Sequence, residues 1–212
     1  MATIAVVGVG RVGSAVARTA LKAGYEVNVA GSGAGEDIAL LAEIVIPGAR
    51  PMVTADAVRD ADIVVVAVPL HKYTSVGPGP LAGKVVIDAM NYWAPIDGEI
   101  SDFEQDAATS SEIVSRHFSA SRVVKTLNHI GYHDLEEHAT AAGAPSRRAL
   151  AVAGDDEAAA HTVMEMIERF GFDAVYTGPL HTGAGLQPGT TIFNGAFSRT
   201  ELEQELNLQP AA

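Results

Sequence analysis

The chain has no cysteine at all. That excludes disulfides, thiolate nucleophiles and cysteine-ligated metals together. It is also short of positive charge: 14 Lys and Arg stand against 26 Asp and Glu, a net charge of −12, which argues against nucleic acid or an anionic membrane as partner. Long hydrophobic runs are missing too. The 48% apolar residues are spread in short stretches, none of membrane-spanning length. The opening apolar run is too short for a secretory core and has no basic leader, so the expected location is the cytoplasm. No G-x-S-x-G elbow occurs, and a serine hydrolase has no support. No repeat, low-complexity linker or charge block divides the 212 residues, which suffice to bury a substantial core. A polyanionic ligand would have to find positive potential locally, at helix ends and a few placed cations.

What is present begins at residue 3. Thr3-Ile-Ala-Val-Val7 is an apolar run, Gly8-Val9-Gly10-Arg11-Val12-Gly13 follows it, and Val12, Val16, Ala20 and Leu21 then recur at helical spacing. A bare G-x-G-x-x-G also occurs in turns that bind nothing, but a strand before it and a helix after it are the context a dinucleotide pyrophosphate needs. The first glycine permits the tight turn, the second lets backbone approach the phosphates, and the third lets helix and strand pack closely. The phosphates then meet unpaired amides at the positive end of the helix. Gly8 to Gly13 are therefore expected to bind a nucleotide.

The next strand, Tyr25–Ala30, ends in Gly31-Ser32-Gly33. An NAD-binding fold usually carries Asp or Glu near this point to hold the ribose 2′-hydroxyl. Without that carboxylate, Ser32 and nearby amides can take a 2′-phosphate, which favours NADP. No Arg or Lys follows directly. Arg11 is the nearest cation in sequence, placed for the pyrophosphate, for the 2′-phosphate, or for solvent.

Further Val- and Ile-rich runs are predicted as strands at Arg50–Val53, Asp62–Val68, Lys84–Asp88, Arg122–Thr126, Arg148–Ala153 and Phe172–Tyr176. Helical patterns fall at Val12–Ala23, Ile38–Val45, Ser110–His117, Asp134–Thr140 and Asp156–Phe170. Short β-branched runs alternating with helices predict an α/β, Rossmann-like doubly wound, mostly parallel sheet. It spans residues 1–177, with a C-terminal segment, 178–212, that completes a second-ligand cleft rather than forming an independent domain. Residues 91–109 have no clear period and read as a long functional or mobile loop.

Ligands of open α/β sheets bind beyond the carboxyl ends of the strands. One such end is Val68-Pro69-Leu70-His71-Lys72. Here Val68 and Pro69 make a rigid apolar shelf beside the nucleotide, and His71 and Lys72 either reach ribose or phosphate or simply begin a surface helix. Another is Asp88-Ala-Met-Asn91, whose polar pair suggests hydrogen bonding near the nicotinamide through Asn91, or an Asx turn that caps the strand. Lys125 and Asn128 are three apart on a strand leading into a loop, not four apart on a helix, so they are not the Lys/Asn pair of β-hydroxyacid dehydrogenases. His129 and His133 have ligand-like spacing, but Gly131 lies between them and no carboxylate completes a site, so no metal is expected.

Several segments occur in a characteristic order: Gly8–Gly13, Ala30-Gly-Ser-Gly33, Val66-Ala-Val-Pro69, Val86-Ile-Asp-Ala-Met-Asn-Tyr-Trp93, Val124-Lys-Thr-Leu-Asn128, residues 171–180 and Leu186-Gln-Pro-Gly-Thr190. Together they resemble the coenzyme F420-dependent NADP oxidoreductase family over nearly the whole chain. The resemblance implies a Rossmann fold, a second ligand cleft formed by the C-terminal part, a homodimer, and reversible hydride transfer between NADP(H) and a deazaflavin, F420. The chain departs from the family pattern at Gly33, where an Arg often stands, and at Arg11, where an Asn is often found.

Hydride exchange between two preorganised rings needs stacking, distance and exclusion of water more than an acid or base. Small and apolar residues at 178–180 and 186–189 are placed to form a stacking wall, or else ordinary Gly-Pro and Pro-Gly turns. A flavin, quinone, ferric or small carbonyl compound is the alternative redox partner. A carbonyl would require a proton donor, for which Lys125, His129 and Tyr132 are the candidates. A non-catalytic NADP(H)-binding sensor is the remaining alternative.

Overall fold

The computed structural model describes residues 1–105, 107–145 and 147–208. Its sheet is built from β1 (Thr3–Val7), β2 (Glu26–Ala30), β3 (Arg50–Met52), β4 (Ile63–Val66), β5 (Val85–Asp88), β6 (Arg122–Lys125), β7 (Ala149–Gly154) and β8 (Asp173–Gly178). The strand order is β3-β2-β1-β4-β5-β6-β7-β8. All neighbours pair in parallel except β6 and β7, so the last two strands run against the first six. The carboxyl ends of β1, β2, β4, β5 and β6 therefore share one edge.

Buried β-branched side chains on both faces explain why these runs form inner strands. Ile4, Val6, Val27, Val29, Ile63 and Val65 meet α1 (Arg11–Lys22) and α8 (Glu157–Phe170) on one side. Ala5, Val7, Val64, Val66 and Val86 meet α3 (Thr54–Arg59) and α6 (Ser110–His117) on the other. Small residues on the inner face of α1 (Gly13, Ala15, Ala17, Ala20) let it lie close to the sheet.

The expected loop at 91–109 holds two short helices, α4 (Ala94–Asp97) and α5 (Ser101–Gln105). The helix expected at Asp134–Thr140 begins earlier, as α7 (Tyr132–Glu137), because it starts directly after Gly131. The remaining helices are α2 (Ala39–Val45) and α9 (Arg199–Glu205). The C-terminal segment packs on β7 and β8: Leu186, Ile192 and Leu202 cover Ala149, Ala151 and Val175. Arg148 ties it down further by donating to the Gly195 carbonyl at 2.6 Å.

No helix among the described residues is long and apolar enough to cross a membrane.

Candidate functional site

The three glycines of the loop do different things. Gly8 turns the chain at φ +105°, and its N–H donates to Ala30 O at 2.8 Å, so it joins the ends of β1 and β2. A Cβ on Gly8 would lie 2.6 Å from Ala67 O, and one on Gly13 would lie 1.8 Å from Gly8 O. Those two glycines are required by the fold. Gly10 is not: its φ is an ordinary −73°, and a Cβ there would meet nothing within 4 Å. A glycine facing open space at the head of α1 keeps backbone accessible to something outside the chain. No side chain caps α1 and no acid stands in its first turn, so its first amides and positive dipole end are left for an anion.

This loop floors a cavity of about 540 Å³, walled by Gly31, Ser32 and Ile38 on one side and by Thr54, Val68, Pro69, Lys72, Val76 and Pro80 on others. Its size and its polar floor with apolar walls suit the adenosine and pyrophosphate of a dinucleotide. The structure thus brings together Gly8, Val9, Gly10, Ser32, Val68 and Pro69. His71 is not among the lining residues. Its Nδ1 lies 3.1 Å from Asp97 Oδ1, which turns it toward α4, while the next residue, Lys72, lines the cavity. Arg11 also points elsewhere, with its guanidinium carbon 5.9 Å from the centre of the Tyr132 ring. Val12 and Gly13 lie in the first turn of α1, behind the cavity lining. A wider groove of about 940 Å³ follows edge strand β3, lined by Glu26, Glu36, Asp56 and Asp60 among others, and has none of the glycine-loop backbone.

Beyond the cavity, the ends of β5 and β6 carry a buried polar cluster. Asp88 and Lys125 are register partners on these strands. Lys125 Nζ lies 3.2 Å from Asp88 Oδ2 and also donates to Met90 O. Asp88 accepts in addition from Ser111 Oγ at 2.8 Å and from the Met90 N–H at 3.0 Å. The alternative Asx turn after β5 is thus present, and it positions Asn91. The Asn91 carboxamide donates to Asn128 O at 2.7 Å and accepts from Asn128 Nδ2 at 2.9 Å, and the same Nδ2 reaches Leu186 O at 2.7 Å. Leu127, at φ +64°, makes the turn that aims Asn128 there. Such strain in a non-glycine residue is often kept at functional sites.

Two of the three proton-donor candidates, Lys125 and His129, are buried and engaged within the protein. Burial lowers the Lys125 pKa while Asp88 opposes the shift, and Gly183 packs onto its stem. His129 is buried and holds β7 in place, its Nε2 accepting from the Ala151 N–H at 3.1 Å. Tyr132 packs against the core, beside Arg11 and His133. Leu180 and Leu186 are fully buried, so the turn alternative holds for 178–189 and these leucines do not offer a stacking wall. No cluster of metal-ligating side chains occurs among the described residues.

Burial, with Arg148 and Lys125 nearby, lowers the His129 pKa to about 3. The folded value lies below the unfolded one of about 6.5, so the unfolded chain binds the extra proton between those pH values. Stability is expected to be full above pH 6.5 and to fall by up to about 1.4 kcal/mol per pH unit as the pH drops toward 3. His129→Gln, which retains an acceptor for Ala151, should flatten that slope in urea titrations at several pH values. An unchanged slope would assign acid sensitivity to other groups.

A sheet wound in this order, with a glycine loop between β1 and α1, defines an NAD(P)-binding protein of the Rossmann class. Residues 3–92 match the profile of the family described as NADP oxidoreductase, coenzyme F420-dependent. Among solved structures, a hypothetical protein of Sinorhizobium meliloti is 25% identical with TM-score 0.81, over 94% of this chain and 96% of that one. A protein of Arthrobacter sp. FB24, provisionally named an F420-dependent NADP-reductase, is 25% identical with TM-score 0.72, over 92% and 99%. A 3-hydroxyisobutyrate dehydrogenase of Mycobacterium tuberculosis, 17% identical with TM-score 0.58, shares the fold over 84% of this chain and 55% of its own length. A search of curated proteins gives no match. The family match and the oxidoreductase neighbours support an NADP-dependent oxidoreductase.

Proposed function

We propose that the protein transfers a hydride between NADP(H) and a deazaflavin coenzyme of the F420 type. The observation that carries this is the state of the polar groups at the ends of β5 and β6. Lys125 is committed to Asp88 and Met90 O, and His129 is neutral with Nε2 occupied, so neither stands ready to protonate a carbonyl oxygen or an imine nitrogen. Chemistry that needs no protein acid fits such a site. When bound, the two coenzymes supply the hydride-donating and hydride-accepting carbons, and the one proton that balances deazaflavin reduction comes from solvent.

The chain's own contribution is binding and alignment. The amides of residues 9–12 would hold the pyrophosphate, Ser32 the 2′-phosphate side, and Val68 and Pro69 the adenosine or ribose. The Asn91–Asn128 pair, which Leu186 O links to the C-terminal segment, would stand at the nicotinamide end. Fixing two rings at reacting distance lowers the barrier mainly by proximity. A cytoplasmic location and a homodimer belong to the same proposal, the latter checked by light scattering on the purified protein.

The test is loss of NADPH absorbance with oxidised deazaflavin, with NADH and flavin mononucleotide as parallel arms. Rapid loss with NADPH and deazaflavin alone is expected. Turnover with flavin or a quinone instead would replace the acceptor, and tight NADPH binding without turnover of any acceptor would leave a sensor.

A further inference from the structure

The β2 loop lacks the cation that a 2′-phosphate normally meets, and its nearest side-chain charge is negative. Asp37 Oδ2 accepts from the Ala34 N–H at 2.8 Å and stands where a Cβ on Gly33 would be 2.3 Å away, next in the chain to Ser32. Cations close to that loop are already engaged. Arg50 pairs with Glu26 at 2.6 Å, Arg59 pairs with Asp56, and Arg11 faces Tyr132. Among the described residues that line the nucleotide cavity, Lys72 is the sole Lys or Arg, no Asp or Glu lines it, and Ser32 lines the same cavity. The 3-10 turn Leu70–Ser75 holds Lys72 there, with the Lys72 N–H donating to Pro69 O at 2.8 Å and Ser75 Oγ donating to Lys72 O at 2.7 Å.

We infer that Lys72, reaching across the cavity from the β4 side, is the residue that selects the 2′-phosphate, and that Asp37 opposes it and weakens the preference. The inference rests on NADP binding in this cavity. The chain would then distinguish NADP from NAD by one long-range cation set against one carboxylate, in place of a cation within the β2 loop. A single charge-assisted contact of this kind confers modest selectivity. The selectivity should fade with added salt, since both side chains are exposed to screening.

The experiment is titration of NADPH and NADH into wild type, Lys72→Met and Asp37→Asn at low ionic strength, with no acceptor present. Asn at position 37 keeps an acceptor for the Ala34 N–H, so the turn is preserved. Lys72→Met is expected to weaken NADPH by about 10-fold or more and NADH by less than about 2-fold. Asp37→Asn is expected to tighten NADPH severalfold and leave NADH unchanged. Equal loss of both nucleotides in Lys72→Met would move Lys72 to the pyrophosphate and overturn the inference, as would no loss of either. Wild type that binds neither nucleotide would instead remove the nucleotide assignment itself, an outcome distinct from wild-type binding that ignores Lys72.

Discussion

Gly10→Val is expected to fold as the wild type does and to lose at least about 100-fold in nucleotide affinity, or about 3 kcal/mol. The two halves of that expectation come from different observations. At φ −73° and ψ −168° the backbone of residue 10 is in a region any side chain adopts, and apart from the adjoining chain no described atom lies within 4 Å of the position a Cβ would take. Folding should feel little more than the change at a helix N-cap, about 1 kcal/mol. A valine would, however, fill the space over the amides at the head of α1, where the pyrophosphate has to come within hydrogen-bond distance. Gly13→Val makes the contrast: its Cβ would start 1.8 Å from Gly8 O, so this variant should fail by unfolding rather than by loss of ligand. Circular dichroism melting beside NADPH titration separates the two. A folded Gly10→Val with wild-type affinity would sink the assignment of the loop.

The glycine loop was legible because its spacing encodes a turn, an approach and a helix contact that local chain geometry fixes. The inner strands were legible for a similar reason, since burial on both faces leaves continuous Val and Ile runs such as Ile63–Val66. Strand direction left no such mark. β7 reads as an apolar run like its neighbours, and its reversal against β6 depends on how residues 126–148 connect the two. Short helices also escaped, because α3, α4 and α5 are too brief to show a 3.6-residue period. For α9 a signal did exist: Ser198 and Glu201 form a capping box, with the Ser198 N–H donating to Glu201 Oε2 at 2.8 Å.

At the site, sequence reasoning placed Asp88 and Asn91 on the ligand-facing edge but could not pair them with Lys125 and Asn128. Those partners lie 37 residues away in each case and meet only through the register of β5 on β6. The sequence could not decide between His71 and Lys72 for a comparable reason. Which of two adjacent residues faces the cavity is decided by the 3-10 turn and by Asp97, from a segment that had no recognisable period.

Breaking the Asp88–Lys125 pair is expected to give the largest loss of stability of any conservative change near the site, about 3–5 kcal/mol for Lys125→Met or Asp88→Asn alone. Both side chains are essentially inaccessible, at 0% and 1% exposure, so neither partner can recover water when the other is removed. Lys125→Met leaves the Asp88 carboxylate, among the described residues, with Ser111 Oγ and the Met90 N–H alone. Asp88→Asn leaves the ammonium facing Met90 O and a carboxamide in place of the charge. The double variant removes both charges, so its cost should fall well short of the two single costs combined, and urea unfolding of all four proteins measures the difference as a coupling energy. The pair also bears on function, because it grips both polar groups of the Met90 main chain and Asn91 follows directly. The double variant is therefore expected to hold NADPH through the intact glycine loop while losing hydride transfer, since the Asn91–Asn128 contact is no longer fixed from below. Single losses that simply add would show two independent residues in place of a pair, and full transfer activity in the double variant would confine Asp88 and Lys125 to holding the sheet.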